Sequence, residues 1–197
     1  MKYVLPLLLL TVVGCKTSYY AYQTSMQPST TTDSLFYEND SMKVVFNLKP
    51  DRIAFRLDNK LNDAMQIRWD EASISVRGKS YRVAHKETGT FKINDLQPLT
   101  TIPPKSYTRD GLIPTDNINY LNLRNTSPLV YTSTMFPYCD YGKNSVKKQA
   151  ELLKGATVMI YLPIYVAGKY AAKSFQVNID DVVASSKQPT SKKTLRQ

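Results

Sequence analysis

From residue 42 onward the apolar side chains recur two positions apart. In MKVVFNL, Met42, Val44, Phe46 and Leu48 share one face, and in RIAFRL, Ile53, Phe55 and Leu57 alternate with Arg52 and Arg56. MQIRWD sets Met65, Ile67 and Trp69 against Gln66, Arg68 and Asp70. A period of two belongs to a strand with one buried face, and turn formers such as LKPD and DNKLND separate the runs. Two hairpins can be registered by counting. A two-residue turn at Gly78 and Lys79 pairs Val76 with Tyr81, Ile74 with Val83 and Ala72 with His85. One at Gly168 and Lys169 pairs Leu162 with Phe175, Ile160 with Val177 and Val158 with Ile179. Both registers put the apolar residues on one face, apart from Lys173 opposite Ile164. Pro163 has no N–H to give to a ladder and predicts an edge or a bulge. One short helix is expected, with Asn144 as its cap, Val146, Ala150 and Leu153 on its inner side and Gly155 as its stop. Together these elements predict a mainly β fold, an antiparallel β-sandwich with one short helix in a connection, and a small β-barrel as the alternative.

The ends of the chain lack this period. Residues 184–197 have no apolar face and are expected to form a basic disordered tail, which leaves residues 34–183 for the domain. Residues 15–33 are rich in Ser, Thr, Gln and Tyr and read as a flexible tether, reaching roughly 24 Å as a coil. Before it, Val4 to Gly14 is an apolar run of eleven residues. A membrane-spanning helix needs about 20, so the run suits the core of a secretory signal instead. It ends Val12, Val13, Gly14, Cys15, and this resembles the bacterial lipoprotein signal, or lipobox. The resemblance implies removal of residues 1–14 and lipid attachment, palmitate included, at Cys15. Several acyl chains on one residue would anchor the protein durably, since each buried methylene contributes about 0.8 kcal/mol. By the same resemblance, Lys16 in place of aspartate points to the outer membrane. The lack of an acidic cluster after Cys15 favours its periplasmic face.

Charge and cysteine usage narrow the chemistry. The formal charge is +10, but an address in the cell envelope removes nucleic acid as a partner. Lys147, Lys148 and Lys154 lie in one basic segment, and they are candidates for contact with an anionic surface. If Cys15 carries lipid, Cys139 has no partner for an intramolecular disulfide and is expected to be a buried, inert thiol. With one histidine in the chain, His85, most zinc sites and nucleophile triads fail by counting. No phosphate-binding or hydrolase motif is present, and no cofactor or metal is expected. DNKLND offers oxygen ligands but reads as a turn. Asp70 with Glu71 and Asp180 with Asp181 are the acid pairs to weigh for carboxylate catalysis, and in strands their members would point to opposite faces. LTTIPPKSYTRDGLIP, with its prolines, predicts a stiff loop that interrupts regular pairing. VYTSTMFPYCDYGKN gathers Tyr131, Phe136, Tyr138 and Tyr141, a candidate binding loop for a sugar or a partner protein.

The succession FYEND, KVVFNL, IAFRLDNKLNDAMQIRWDEASISVRGKSYRV and IPPKS, behind a lipobox, is similar to small Bacteroidetes lipoproteins of unassigned function. That resemblance implies an immunoglobulin-like sandwich and carries no catalytic residue across. The expectation is a non-catalytic envelope lipoprotein, a binding or assembly module for a protein or glycan that meets the membrane through its lipid. Two alternatives stand beside it: a carboxylate-dependent enzyme of envelope glycans, and a protein that binds anionic lipid surfaces through its basic segment.

Overall fold

The computed structural model describes residues 17–29, 35–85, 96–121 and 129–188, the side chains at 120, 121 and 129–131 excepted. Cys15 and residues 189–197 therefore lie outside the described residues. The strands are β1 (Tyr19–Gln27), β2 (Phe36–Glu38), β3 (Met42–Leu48), β4 (Ile53–Asn59), β5 (Met65–Ile67), β6 (Ser73–Val76), β7 (Lys79–Ala84) and β8 (Thr100–Ile102). They continue as β9 (Tyr107–Pro114), β10 (Ile118–Leu121), β11 (Leu129–Thr132), β12 (Thr157–Leu162), β13 (Ile164–Val166), β14 (Lys169–Tyr170) and β15 (Lys173–Ser185), with one helix, α1 (Asn144–Glu151).

The alternation does what its period demands. Met42, Val44 and Phe46 on β3 and Ile53, Phe55 and Leu57 on β4 are buried, and Phe46 stands opposite Phe55 in the register. These strands belong to a nine-stranded antiparallel sheet of order β1-β15-β12-β6-β7-β9-β4-β3-β2. Its middle is held by two residue pairs, Val83 with Pro114 and Ala84 with Ile113, so the sheet can bend sharply there. The two ends then meet across the core. Tyr37 on β2 and Phe46 on β3 both pack edge-on against Phe175 on β15, with ring centroids 5.5 and 5.0 Å apart. The fold is mainly β, as expected, and the curled sheet is nearly closed, between the sandwich and the barrel. A smaller sheet, β14-β13-β5-β8, takes over where strands leave the large one. Pro163 marks such a point, standing between β12 and β13 as its missing N–H requires.

Several expectations change. Both hairpins turn one position earlier, at Arg77–Gly78 and Ala167–Gly168, where every φ is left-handed, from 48° to 80°. That is the primed turn whose twist suits a hairpin. Val76 therefore pairs with Lys79, Ile74 with Tyr81, Ile160 with Phe175 and Val158 with Val177. Each register is offset by two, so the inward face survives. Lys173 opposes Leu162 rather than Ile164. Asn144 is the first helical residue rather than the cap; Lys143 holds the cap position without a side-chain hydrogen bond. Ala150 and Leu153 are buried as expected, and Gly155 follows at φ 72°. Trp69 is buried in a 3-10 turn after β5, its indole N–H donating to Thr100 Oγ1 at 2.8 Å. The proline-rich stretch forms β8 and β9, its first prolines confined to the turn between them.

The largest correction concerns the tether. Residues 19–27 are strand β1, antiparallel to β15 from Tyr19 opposite Ser185 to Gln27 opposite Gln176. β15 is 13 residues long and outruns β12, whose partners end at Asn178, so its far half needs another neighbour. β1 supplies it, and Tyr20 and Met26 turn into the protein. β15 also carries order to Ser185, past the expected start of the tail.

Phe175 is 1% exposed and joins the two ends of the sheet. Phe175→Ala is expected to lower unfolding free energy by about 3–5 kcal/mol in urea titration. A loss below about 1 kcal/mol would mean that the ends do not depend on this contact.

Candidate functional site

The aromatic loop is built onto the start of β1 by one carboxylate. Asp140, 3% exposed, accepts from Ser18 N–H at 2.9 Å and Gly142 N–H at 2.8 Å through Oδ1, and from the Tyr20 hydroxyl at 2.8 Å through Oδ2. Backbone bonds complete the attachment. Tyr20 N–H donates to Tyr138 C=O at 2.9 Å, Asp140 N–H to Ser18 C=O at 3.0 Å, and Tyr19 bridges Cys139. The N–H groups of Ser18 and Gly142 stabilise the carboxylate and hold its pKa down to about 2 against the opposing effect of burial. Burial, then the bond to Asp140, pushes the Tyr20 phenol up to about 12. Cys139 is a buried free thiol within this attachment.

The four loop residues separate into different roles. Phe136 is 1% exposed and packs edge-on against Tyr22 at 6.0 Å, while the Tyr22 hydroxyl donates to Pro137 C=O at 2.5 Å. Tyr138 and Tyr141 are exposed, their rings edge-on at 6.2 Å and their hydroxyls bonded to each other. Tyr131 lies on β11, opposite Asn119, and its side chain is outside the described residues. Pro50 C=O accepts from the N–H groups of Met135 and Phe136, which draws the loop to the turn between β3 and β4. Between that turn and β1 lies a cleft of about 400 Å³. Tyr20, Tyr22, Phe136 and Tyr138 line one part of it, Leu48 and Lys49 another. Because β1 and β3 belong to opposite arms of the curled sheet, the cleft is its seam.

No family model matches the chain. No curated protein and no solved structure matches it significantly either.

The lysines of the basic segment are not brought to the cleft as a group. Lys147 lies 3.9 Å from Glu151 along the helix, and Lys148 is exposed. Lys154 reaches Asp181 on β15 at 2.8 Å, a bond that lowers the Asp181 pKa. The weighed acids are engaged elsewhere. Asp70 accepts from Gln97 N–H and Glu71 from the Tyr165 hydroxyl, both at 3.0 Å, and the two share a 3-10 turn rather than a strand end. Asp180 accepts from the Ser25 hydroxyl at 3.1 Å. In the DNKLND turn, Asn59 is buried and donates to the carbonyls of Asp63, Ile102 and Pro103. His85 is buried, stacked on Trp69 at 4.8 Å, with Asp110 3.3 Å from its Nδ1. Among the described residues no group of three or more His, Cys, Asp or Glu is placed to hold a metal.

Tyr20 and Tyr22 are the cleft residues that sequence reasoning missed. Their signal was a two-residue period, Tyr20, Tyr22, Thr24, Met26, diluted by polar neighbours.

The depressed Asp140 carboxyl stabilises the fold above the ordinary value of 3.8, and that contribution is lost as pH falls toward about 2. Asp140→Asn should therefore be less stable at neutral pH and show a shallower loss of stability across that window. Amide exchange at Tyr19 to Tyr22 should also quicken. Equal acid slopes for the two proteins would remove Asp140 as the attachment point.

Proposed function

We propose that this chain is an envelope lipoprotein, anchored through Cys15 at the periplasmic face of the outer membrane, and that it works there as a non-catalytic binding module for a protein or glycan. The observation that carries the anchor is Val12-Val13-Gly14-Cys15 closing a short apolar run. The fold sharpens its consequence. Ser18 is already fixed to Asp140, three residues beyond Cys15, so the lipid would lie within about 11 Å of chain from the domain. The binding surface would then be the seam cleft, with Tyr138 and Tyr141 at its exposed end. Tyrosine rings with free edges and polar tips suit stacking against sugar rings or a partner's side chains at small entropic cost.

A second reading, contact of the basic segment with anionic lipid, is favoured by Lys148, which is exposed and enters no ion pair among the described residues. Carboxylate catalysis has less support, since the acids weighed for it hold structural partners.

Cys15→Ser should end palmitate labelling and shift the protein from the membrane to the soluble envelope fraction. Tyr138→Ala with Tyr141→Ala should keep both labelling and anchoring, yet reduce recovery of crosslinked envelope partners by about tenfold. Unchanged recovery would take the cleft out of the binding model, and unchanged fractionation of Cys15→Ser would overturn the anchor.

A further inference from the structure

The outward face of β3, β4 and β9 carries a concavity of about 610 Å³ that does not involve the aromatic loop. Its floor is low at Ala54 on β4, whose partner across the ladder is Gly111 on β9. Gly111 has a further effect: a Cβ there would come within 2.7 Å of Arg52 Cδ, so its absence lets the Arg52 side chain lie across the sheet. Arg56, Arg109 and Lys49 line the same hollow, with Asn47 beside them.

The basic side chains are held in place. Asp58 takes Arg56 through both Nε and Nη2, and Asp51 takes Arg52 at 2.9 Å. The exposed Tyr107 ring serves two guanidinium groups, with Arg56 4.1 Å and Arg109 5.3 Å from its centroid. Among the described residues no ion pair engages Arg109 or Lys49. Asp110 also lines the hollow, 3.3 Å from Nδ1 of the buried His85, and brings one carboxylate against the four cationic side chains of Lys49, Arg52, Arg56 and Arg109.

Arg56 and Arg109 are direct partners in the register. Like charges opposite one another across a ladder weaken it, and here Asp58 and the shared Tyr107 ring partly offset the repulsion. A local rule broken on an otherwise consistent strand pair is expected at functional or strained positions. Guanidinium groups bind carboxylate, sulfate and phosphate oxygens in bidentate fashion, and an oxyanion between these two would turn their repulsion into attraction.

We propose that this hollow binds an acidic glycan. The arginines and Lys49 take its anionic groups, Asn47 and the Tyr107 hydroxyl meet its hydroxyls, and the floor at Ala54 accommodates a sugar ring. The site needs neither the lipid anchor nor the aromatic loop, and it adjoins the seam cleft, with which it shares Asn47 and Lys49.

The test is calorimetric titration of the full chain, purified in detergent, with polygalacturonate and with uncharged dextran at about 0.15 M salt. Saturable binding of the polyuronate alone is expected. Arg56→Gln with Arg109→Gln should weaken it about tenfold or more, whereas Lys169→Gln with Lys187→Gln, which removes equal charge at exposed positions elsewhere, should change it by less than about twofold. The single exposed change Arg109→Gln should weaken binding while its melting temperature matches or exceeds that of the parent, which separates loss of the site from loss of the fold. Equal losses for the two double variants, equal binding of dextran, or no saturable binding would each overturn the proposal.

Discussion

The amino-terminal part of this fold depends on the carboxylate of Asp140. Ser18, Tyr20 and Gly142 all donate to it, and the first two lie about 120 residues away in the chain. Local propensity could not hold Ser18 and Tyr20 against the 138–140 segment; a buried, ionised acceptor with three donors can. Once Tyr20 is fixed, β1 runs along the other edge of β15 from Gln176 to Ser185, Tyr22 reaches Pro137, and Phe136 is covered. The cleft wall and the burial of Cys139 follow from that attachment, which is made three residues after Cys15 in the sequence.

The contrast with β3 and β4 shows what a sequence pattern can reveal. In MKVVFNL and RIAFRL the inward residues are large and apolar, and their partner strand is the next one along. The alternation is therefore both the signal and the cause. β1 carries the same period in Tyr20, Tyr22, Thr24 and Met26, but three of these carry hydroxyls, and the register slips between Gln23 and Thr24. Its strand state comes from β15 and Asp140, and neither is visible in a local window. The hairpins fall between these cases. The glycines at 78 and 168 located the turns, whereas the left-handed Arg77 and Ala167 before them set the register, and side chains of those types give no hint of that conformation. An error of two residues cost nothing in facing, which is why the core was legible although the pairing was not.

The candidate surfaces divide in the same way. Phe136 and Tyr138 are separated by one proline in a loop that alternates between core and solvent, so an aromatic cluster in sequence became one packing residue and an exposed pair with Tyr141. The arginines had the opposite fate. Arg52 and Arg56 were legible as the solvent side of a strand, but their meeting with Arg109 depends on β9 joining β4, a pairing across more than 50 residues that composition cannot express.

These two surfaces place different demands on the sheet. The seam cleft exists because the nine strands stop short of closing, so its shape depends on the contacts that draw β1 and β3 together, chiefly Phe175 and the Pro50 carbonyl. The arginine hollow lies on strands with continuous ladders on both sides of β4 and is rigid for that reason. A site that must bring cations close together gains from such rigidity, because the repulsion between Arg56 and Arg109 is then met once, in folding, and an arriving anion finds its donors already aimed. A cleft lined by tyrosines needs no such preparation, and it can afford to lie where the sheet is open.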